Sequence, residues 1–214
     1  VRAWLARHWT PERRAAYEAS DRTHRDYDPE FSRELGATGW LGLTWPARFG
    51  GMERSPWEML AFMEEMNRAG APRAGAPIQA QSWQIFGQPE QQARYLPELL
   101  RGEKMYGMWY SEPDSGSDLA SIRTRAVRDG DHWVINGQKM FCSCAQIADY
   151  ILLMARSDAN APKHDGITMF LLDVKTPGVE IRRLKKLGLK PMDLNEIFLT
   201  DARVPAASII GKVN

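Results

Sequence analysis

The sequence predicts an α+β protein: an all-α N-terminal domain over residues 1–103, then a small antiparallel β-barrel over residues 104–214. Three observations carry this reading. Capping residues precede prolines at regular intervals in the first half, β-branched and aromatic runs take over after Lys104, and those runs are separated by turn pairs.

In the first half, Thr10-Pro11, Asp28-Pro29 and Ser55-Pro56 each read as a cap followed by the first helical residue. Glu58 stands three residues after Ser55, completing a capping box, and Trp57, Leu60, Ala61 and Met63 follow at helical spacing. Pro77–Phe86 and Pro89–Leu100 read as two more helices, the second stopped by Arg101-Gly102. The glycine-rich, aromatic stretch from Gly39 to Gly51 predicts a structured loop that packs against a neighbour.

In the second half, Asp129-Gly130 and Asn136-Gly137 read as tight turns flanking His132–Ile135, within a meander from about Arg123 through Ser143. Tyr150–Ala155, Ile167–Asp173, Val179–Leu184 and Glu196–Leu199 supply further strands. The number and spacing of these short strands predict a barrel or sandwich.

Composition narrows the function. Twenty-eight basic residues against 27 acidic ones leave a net charge of +1, which gives no long-range attraction for nucleic acid or an acidic membrane. The longest apolar stretch, Ile147–Ala155, is interrupted by Asp149 and is far short of a bilayer span of roughly 20 residues. Two cysteines, Cys142 and Cys144, stand two apart on a predicted strand, a spacing poorly suited to a disulfide, which favours a reducing, cytoplasmic setting. Four scattered histidines offer no zinc spacing. The chain opens on Val1 rather than Met, so targeting information has room upstream. With neither a G-x-G-x-x-G after a strand nor a P-loop sequence, any nucleotide cofactor must be held differently.

Two segments carry candidate chemistry. Met108 to Asp118 (MWYSEPDSGSD) ends a strand in a turn of hydroxyls and small residues, able to offer several N–H groups to an anion; the same residues also suit an ordinary acidic turn. Asn136 to Cys144 (NGQKMFCSC) sets Phe141 and Ser143 on one face of a strand. That pair suits a flat heteroaromatic ligand, which the ring packs against and the hydroxyl bonds; taken singly, such a pair is more often core packing.

Together, in this order and separation, the two segments resemble the flavin-binding middle domain of the acyl-CoA dehydrogenase family, whose pattern is close to T-E-P-G-A-G-S-D followed by N-G-x-K-x-W-I-T-N. The chain has Ser111-Glu-Pro-Asp-Ser-Gly-Ser-Asp118 and the Asn136–Cys144 run, with Ala126–Gly130 between. The resemblance extends to Trp45–Gly51 and to Asp201–Pro205 with Ile210-Gly211. It implies an acyl-CoA dehydrogenase-like fold whose third, helical-bundle domain lies outside these residues. It also implies FAD as cofactor, with Met108, Tyr110 and Ser111 contacting the flavin ring, Phe141 packing beside it, Cys142 giving a backbone contact and Ser143 placing its hydroxyl near the hydride-accepting nitrogen. Ser117 falls where the cofactor pyrophosphate and the pantetheine arm of an acyl-CoA meet, and so serves both cofactor and substrate.

The implied reaction is FAD-dependent α,β-dehydrogenation of an acyl-CoA thioester in fatty acid metabolism. Its catalytic base belongs to the third domain, so no residue here is assigned as catalytic. Electron-transfer flavoprotein is the expected electron acceptor, and a homo-oligomer, dimer or tetramer, the expected assembly. Acyl-CoA oxidases, related flavin monooxygenases and a non-catalytic partner subunit share the fold and remain open. Departures from the pattern are Asp114 and Ser115 in place of Gly and Ala, Met108 in place of an aromatic residue, and Cys142 and Cys144 in place of Ile and Asn.

Overall fold

Asp28 and Ser55 start helices as the sequence predicts. In the computed structural model, which describes residues 1–19, 27–72, 77–188 and 192–213, the Asp28 carboxylate accepts from the N–H groups of Glu30 and Phe31, both at 2.9 Å. Ser55 and Glu58 form the reciprocal capping box, each side chain accepting from the other's backbone N–H. The helices are α1 (Arg2–His8), α2 (Pro11–Ala19), α3 (Pro29–Gly36), α4 (Pro56–Ala69), α5 (Pro77–Phe86) and α6 (Pro89–Leu100). All but α1 open on a proline, which fixes φ where an N–H has no helical partner anyway. Nothing announces α1, because Val1 before it has no capping side chain.

The α4 helix forms as its cap and spacing predict, with its apolar stripe left unburied. The stripe Trp57, Leu60, Met63 faces solvent, and Met66 alone of the helix is buried. Trp57 is 78% exposed. The cap fixed where the helix starts but not which side of it the fold covers.

The Gly39–Gly51 loop is structured. Two 3₁₀ turns, Trp40–Gly42 and Ala47–Phe49, are tied by Met52 N–H to the Gly42 carbonyl at 3.0 Å and Arg54 N–H to the Leu43 carbonyl at 2.8 Å. Glycine is needed at 51, where a Cβ would stand 2.2 Å from the Trp45 carbonyl oxygen. This packing buries Trp45 against the helices and the sheet.

The strands are β1 (Tyr106–Trp109), β2 (Arg125–Asp129), β3 (His132–Ser143), β4 (Tyr150–Arg156), β5 (Ile167–Asp173), β6 (Val179–Arg183), β7 (Leu194–Pro205) and β8 (Ile209–Ile210). They form one sheet in the order β6-β7-β3-β2-β4-β5-β8, with β1 also on β4. The antiparallel-barrel expectation is corrected here: the sheet is mixed and not closed. β1 runs parallel to β4, Tyr106 opposite Tyr150 through Trp109 opposite Leu153, and β2 joins the same edge of β4 in parallel by the pair Arg125 and Arg156. The chain leaves β1 through the motif turn and returns in the same direction, a relation that strand composition does not encode.

A second correction concerns Asn136-Gly137. Asp129-Gly130 is the β2–β3 hairpin, with Gly130 at φ +64°, but β3 continues through Asn136-Gly137 to Ser143. The register against β7 shifts there instead, and Asn136 receives the Asp201 N–H at 2.8 Å. Gly137 fits because a Cβ would come 2.5 Å from the Thr124 hydroxyl.

Alternation along β4 explains its nearly unbroken apolar run. Ile151 and Leu153 enter a core with Trp133, Ile135, Phe170 and Ile197, while Leu152 faces the other way, against Trp83, Leu96, Leu99 and Tyr106. Both faces of β4 are therefore covered, one by the sheet's own curl and one by α5 and α6. Asp149, which interrupts the run, accepts from Lys104 Nζ at 2.8 Å and from Met105 N–H at 2.9 Å.

Candidate functional site

The two motif segments meet through their backbones and one buried ion pair. Met140 N–H donates to the Ser111 carbonyl at 2.9 Å, joining the turn after β1 to the end of β3. Lys139 Nζ donates to the Tyr110 carbonyl at 3.1 Å and to Glu112 Oε1 at 2.8 Å, with the side chains 1% and 7% exposed respectively. The Glu112 carboxylate also accepts from Arg123 N–H at 2.6 Å and Thr124 N–H at 3.0 Å. Burial opposes charge on Glu112, but the Lys139 ammonium and these amides outweigh it and hold the carboxyl below its ordinary pKa. For Lys139 burial is the larger influence and brings its pKa below the usual lysine range, against the pull of Glu112. Sequence supplied one unlike charge in each segment; only the fold brings them together.

Beyond Lys139 the β3–β7 register slips, and Phe141 takes φ +59° with 59% of its surface exposed. A bulky residue in the left-handed region costs on the order of 1–3 kcal/mol, a strain that clusters at ligand sites. The bulge turns Phe141 outward while Cys142 goes fully into the core, where burial pushes its thiol pKa up to about 12. Asn195 Nδ2 donates to the Cys142 carbonyl at 3.1 Å, and Cys144, at φ +59°, donates its N–H to the Asp193 carbonyl at 3.0 Å. Trp109 Nε1 donates to the Ser143 carbonyl at 3.1 Å, pinning β1 to this strand end. Gly107 leaves room for the Trp109 ring, which would lie 2.1 Å from an added Cβ.

Between β1 and the end of β3 lies a cavity of about 290 Å³, at the small end of ligand sites. Met108, Phe141 and Ser143 line it together, with Trp109 and Cys144. Met105, Tyr106 and Gly107 extend the β1 side of the wall, and Tyr27, Gln79 on α5 and Met192 add to it from elsewhere; these last three were invisible as site residues because each lies far away in sequence. Tyr110 and Ser111 stand beside this cavity rather than in its lining, tied to it through Lys139 and Met140. Burial raises the Tyr110 hydroxyl to about 12. Cys142 turns away from the cavity. Ser117 is exposed on the motif turn, which Ser115 closes by donating its hydroxyl to the Asp118 carbonyl at 2.7 Å. Asp114, the atypical carboxylate, is solvent-exposed and 3.6 Å from the Arg123 guanidinium.

The donor set suits a flavin. Phe141 offers an exposed ring face, Met108 and Trp109 an apolar wall, and the Ser111, Ser117 and Ser143 hydroxyls make no hydrogen bond among the described residues.

The comparisons with known proteins decide the family. Residues 1–103 match the model for the acyl-CoA dehydrogenase N-terminal domain, and residues 107–202 match that for the acyl-CoA dehydrogenase middle domain. The chain belongs to the acyl-CoA dehydrogenase family. It is 41% identical over 184 residues to acyl-CoA dehydrogenase FadE29 of Mycobacterium tuberculosis, covering 85% of this chain and 47% of that protein. Among solved structures it resembles the ChsE4-ChsE5 complex from Mycobacterium tuberculosis, with a TM-score of 0.86, 35% identity, and coverage of 99% of this chain and 54% of that one. It also resembles a glutaryl-CoA dehydrogenase from Mycobacterium smegmatis in complex with FADH2, with a TM-score of 0.76, 26% identity, and coverage of 98% and 53%. The chain thus spans about half the length of the curated acyl-CoA dehydrogenases it matches. Among the described residues no helix is long and apolar enough to cross a membrane.

Proposed function

We propose that this chain is the flavin-carrying front of an acyl-CoA dehydrogenase, with a division near residues 103 and 104, and that it works in α,β-dehydrogenation of an acyl-CoA thioester. The observation that carries this reading is the single cavity lined by Met108, Phe141 and Ser143, with Ser111 tied alongside by Met140. The Phe141 ring packs against the isoalloxazine, and the Ser143 and Ser111 hydroxyls donate to its polar edge. Bound FAD supplies the capacity to accept hydride from the β carbon. The Ser111 N–H and hydroxyl, neither engaged by the described residues, stabilise negative charge on the pyrimidine side. Ser117 and the turn amides hold the pyrophosphate and the pantetheine arm. Proton removal from the α carbon is assigned to a group outside these residues.

Tyr27 and Gln79 reach the same cavity from the helical side, so the acyl group meets both halves of the chain. The exposed apolar residues of α4 and of α5, Ile78, Ile85 and Phe86, provide surface for a homo-oligomer or for a related partner chain, as the paired name of the ChsE4-ChsE5 neighbour suggests. Electron-transfer flavoprotein as acceptor and a cytoplasmic setting complete the proposal.

The test is a fluorescence titration of the full-length protein with FAD, followed by anaerobic addition of acyl-CoA. Saturable flavin binding weakened by Phe141→Ala and Ser143→Ala, with bleaching by acyl-CoA, supports the dehydrogenase. Rapid re-oxidation by air with stoichiometric peroxide favours an oxidase, and no flavin binding at all favours a non-catalytic subunit.

A further inference from the structure

A buried cation stands behind the motif turn without entering the cavity. The Lys139 ammonium lies against the carbonyl of the Tyr110–Ser111 peptide, and the other end of that peptide, the Ser111 N–H, donates to nothing among the described residues. The Ser111 carbonyl is separately fixed by Met140 N–H. The segment is thus held at two successive carbonyls, while the Ser111 N–H stays without a partner among the described residues. A cation bonded to a peptide oxygen withdraws electron density across the conjugated unit and makes the opposite N–H a stronger donor.

Glu112 keeps the arrangement neutral as a whole, and its two further backbone bonds anchor the lysine against Arg123 and Thr124. A brace needed only for packing would not require a charged end to touch this particular carbonyl. We propose that Lys139 is a positioning residue for the flavin site, acting through the Tyr110–Ser111 peptide to hold and polarise the Ser111 N–H toward the electron-rich edge of the bound cofactor. This rests on the flavin reading above.

The test compares wild type with a charge-free pair, Glu112→Gln together with Lys139→Met, and with Lys139→Arg, in the purified flavin-loaded protein. The midpoint potential of the flavin and the FAD dissociation constant are measured alongside the thermal midpoint. The charge-free pair loses about tenfold in its preference for reduced over oxidised flavin, equivalent to about 30 mV for a two-electron couple. Lys139→Arg, which keeps the cation, holds that preference within about twofold even where it is less stable. A charge-free pair with the potential and affinity of wild type overturns the proposal. Should that pair fail to fold, Lys139→Gln takes its place with the same two outcomes. A wild type that takes up no FAD overturns the flavin reading and this inference with it, whereas a wild type that binds FAD beside an unshifted variant overturns the inference alone.

Discussion

The centre of the sheet, β4 and β5, buries apolar residues on both faces, whereas α4, the longest described helix, leaves its apolar stripe in water. Phe170 and Ile135 are fully buried, and Trp57, only two residues into its helix, is among the most exposed large side chains described. Composition does not separate these regions. Strands acquire their burial from neighbours on two faces, but a surface helix acquires it from whatever packs on one stripe. Exposed apolar stripes of this kind are typical of association surfaces.

The largest effect expected is in the sheet. Phe170→Ala, which removes the ring packed edge-on against Trp133 at 5.5 Å between centroids, costs about 3–5 kcal/mol in urea or thermal unfolding. Breaking the ion pair is next: Glu112→Gln costs about 3 kcal/mol or more, because it leaves the Lys139 charge buried without its partner. The same pair sets an acid limit. Glu112 has its pKa lowered in the folded state, so its contribution is present above the unfolded carboxylate pKa, near 4.5, and is lost as pH falls through the folded value. Unfolding measured across that range should show stability dropping in acid, and Glu112→Gln should flatten this part of the curve.

On the helical side the effects shrink. Ser55→Ala removes one half of the capping box and costs about 1 kcal/mol, readable in the same unfolding experiment. Trp57→Ser changes monomer stability by no more than about 0.5 kcal/mol, since the ring is exposed. Its effect belongs in light scattering, where wild type self-associates through the exposed stripes and the variant does so less. A large stability loss from Trp57→Ser would break the contrast between the two regions.

What could be read from the sequence follows the range of each interaction. The caps at Asp28 and Ser55 were legible because donor and acceptor lie within three residues. Ile167–Asp173 was legible because its apolar β-branched run is its own signal. The parallel pairing of β1 with β4 was not, since strand direction is set by the route of the chain. Asn136-Gly137 misled because glycine serves a close approach of Thr124, not a turn. For the site, Phe141, Ser143 and Met108 were visible within two motifs, but the left-handed bulge at Phe141 that turns its ring outward comes from the register shift against β7. Tyr27, Gln79 and Met192 reach the cavity only through tertiary packing. The pairing of Lys139 with Glu112, 2.8 Å away, joins residues 27 apart and carries no local signal.

The most direct measurement is a crystal structure of the protein with FAD bound. The account predicts the isoalloxazine against the Phe141 ring, with the Ser143 hydroxyl and the Ser111 N–H within hydrogen-bonding distance of it. A flavin seated elsewhere, with Phe141 and Ser143 touching none of it, would contradict the account.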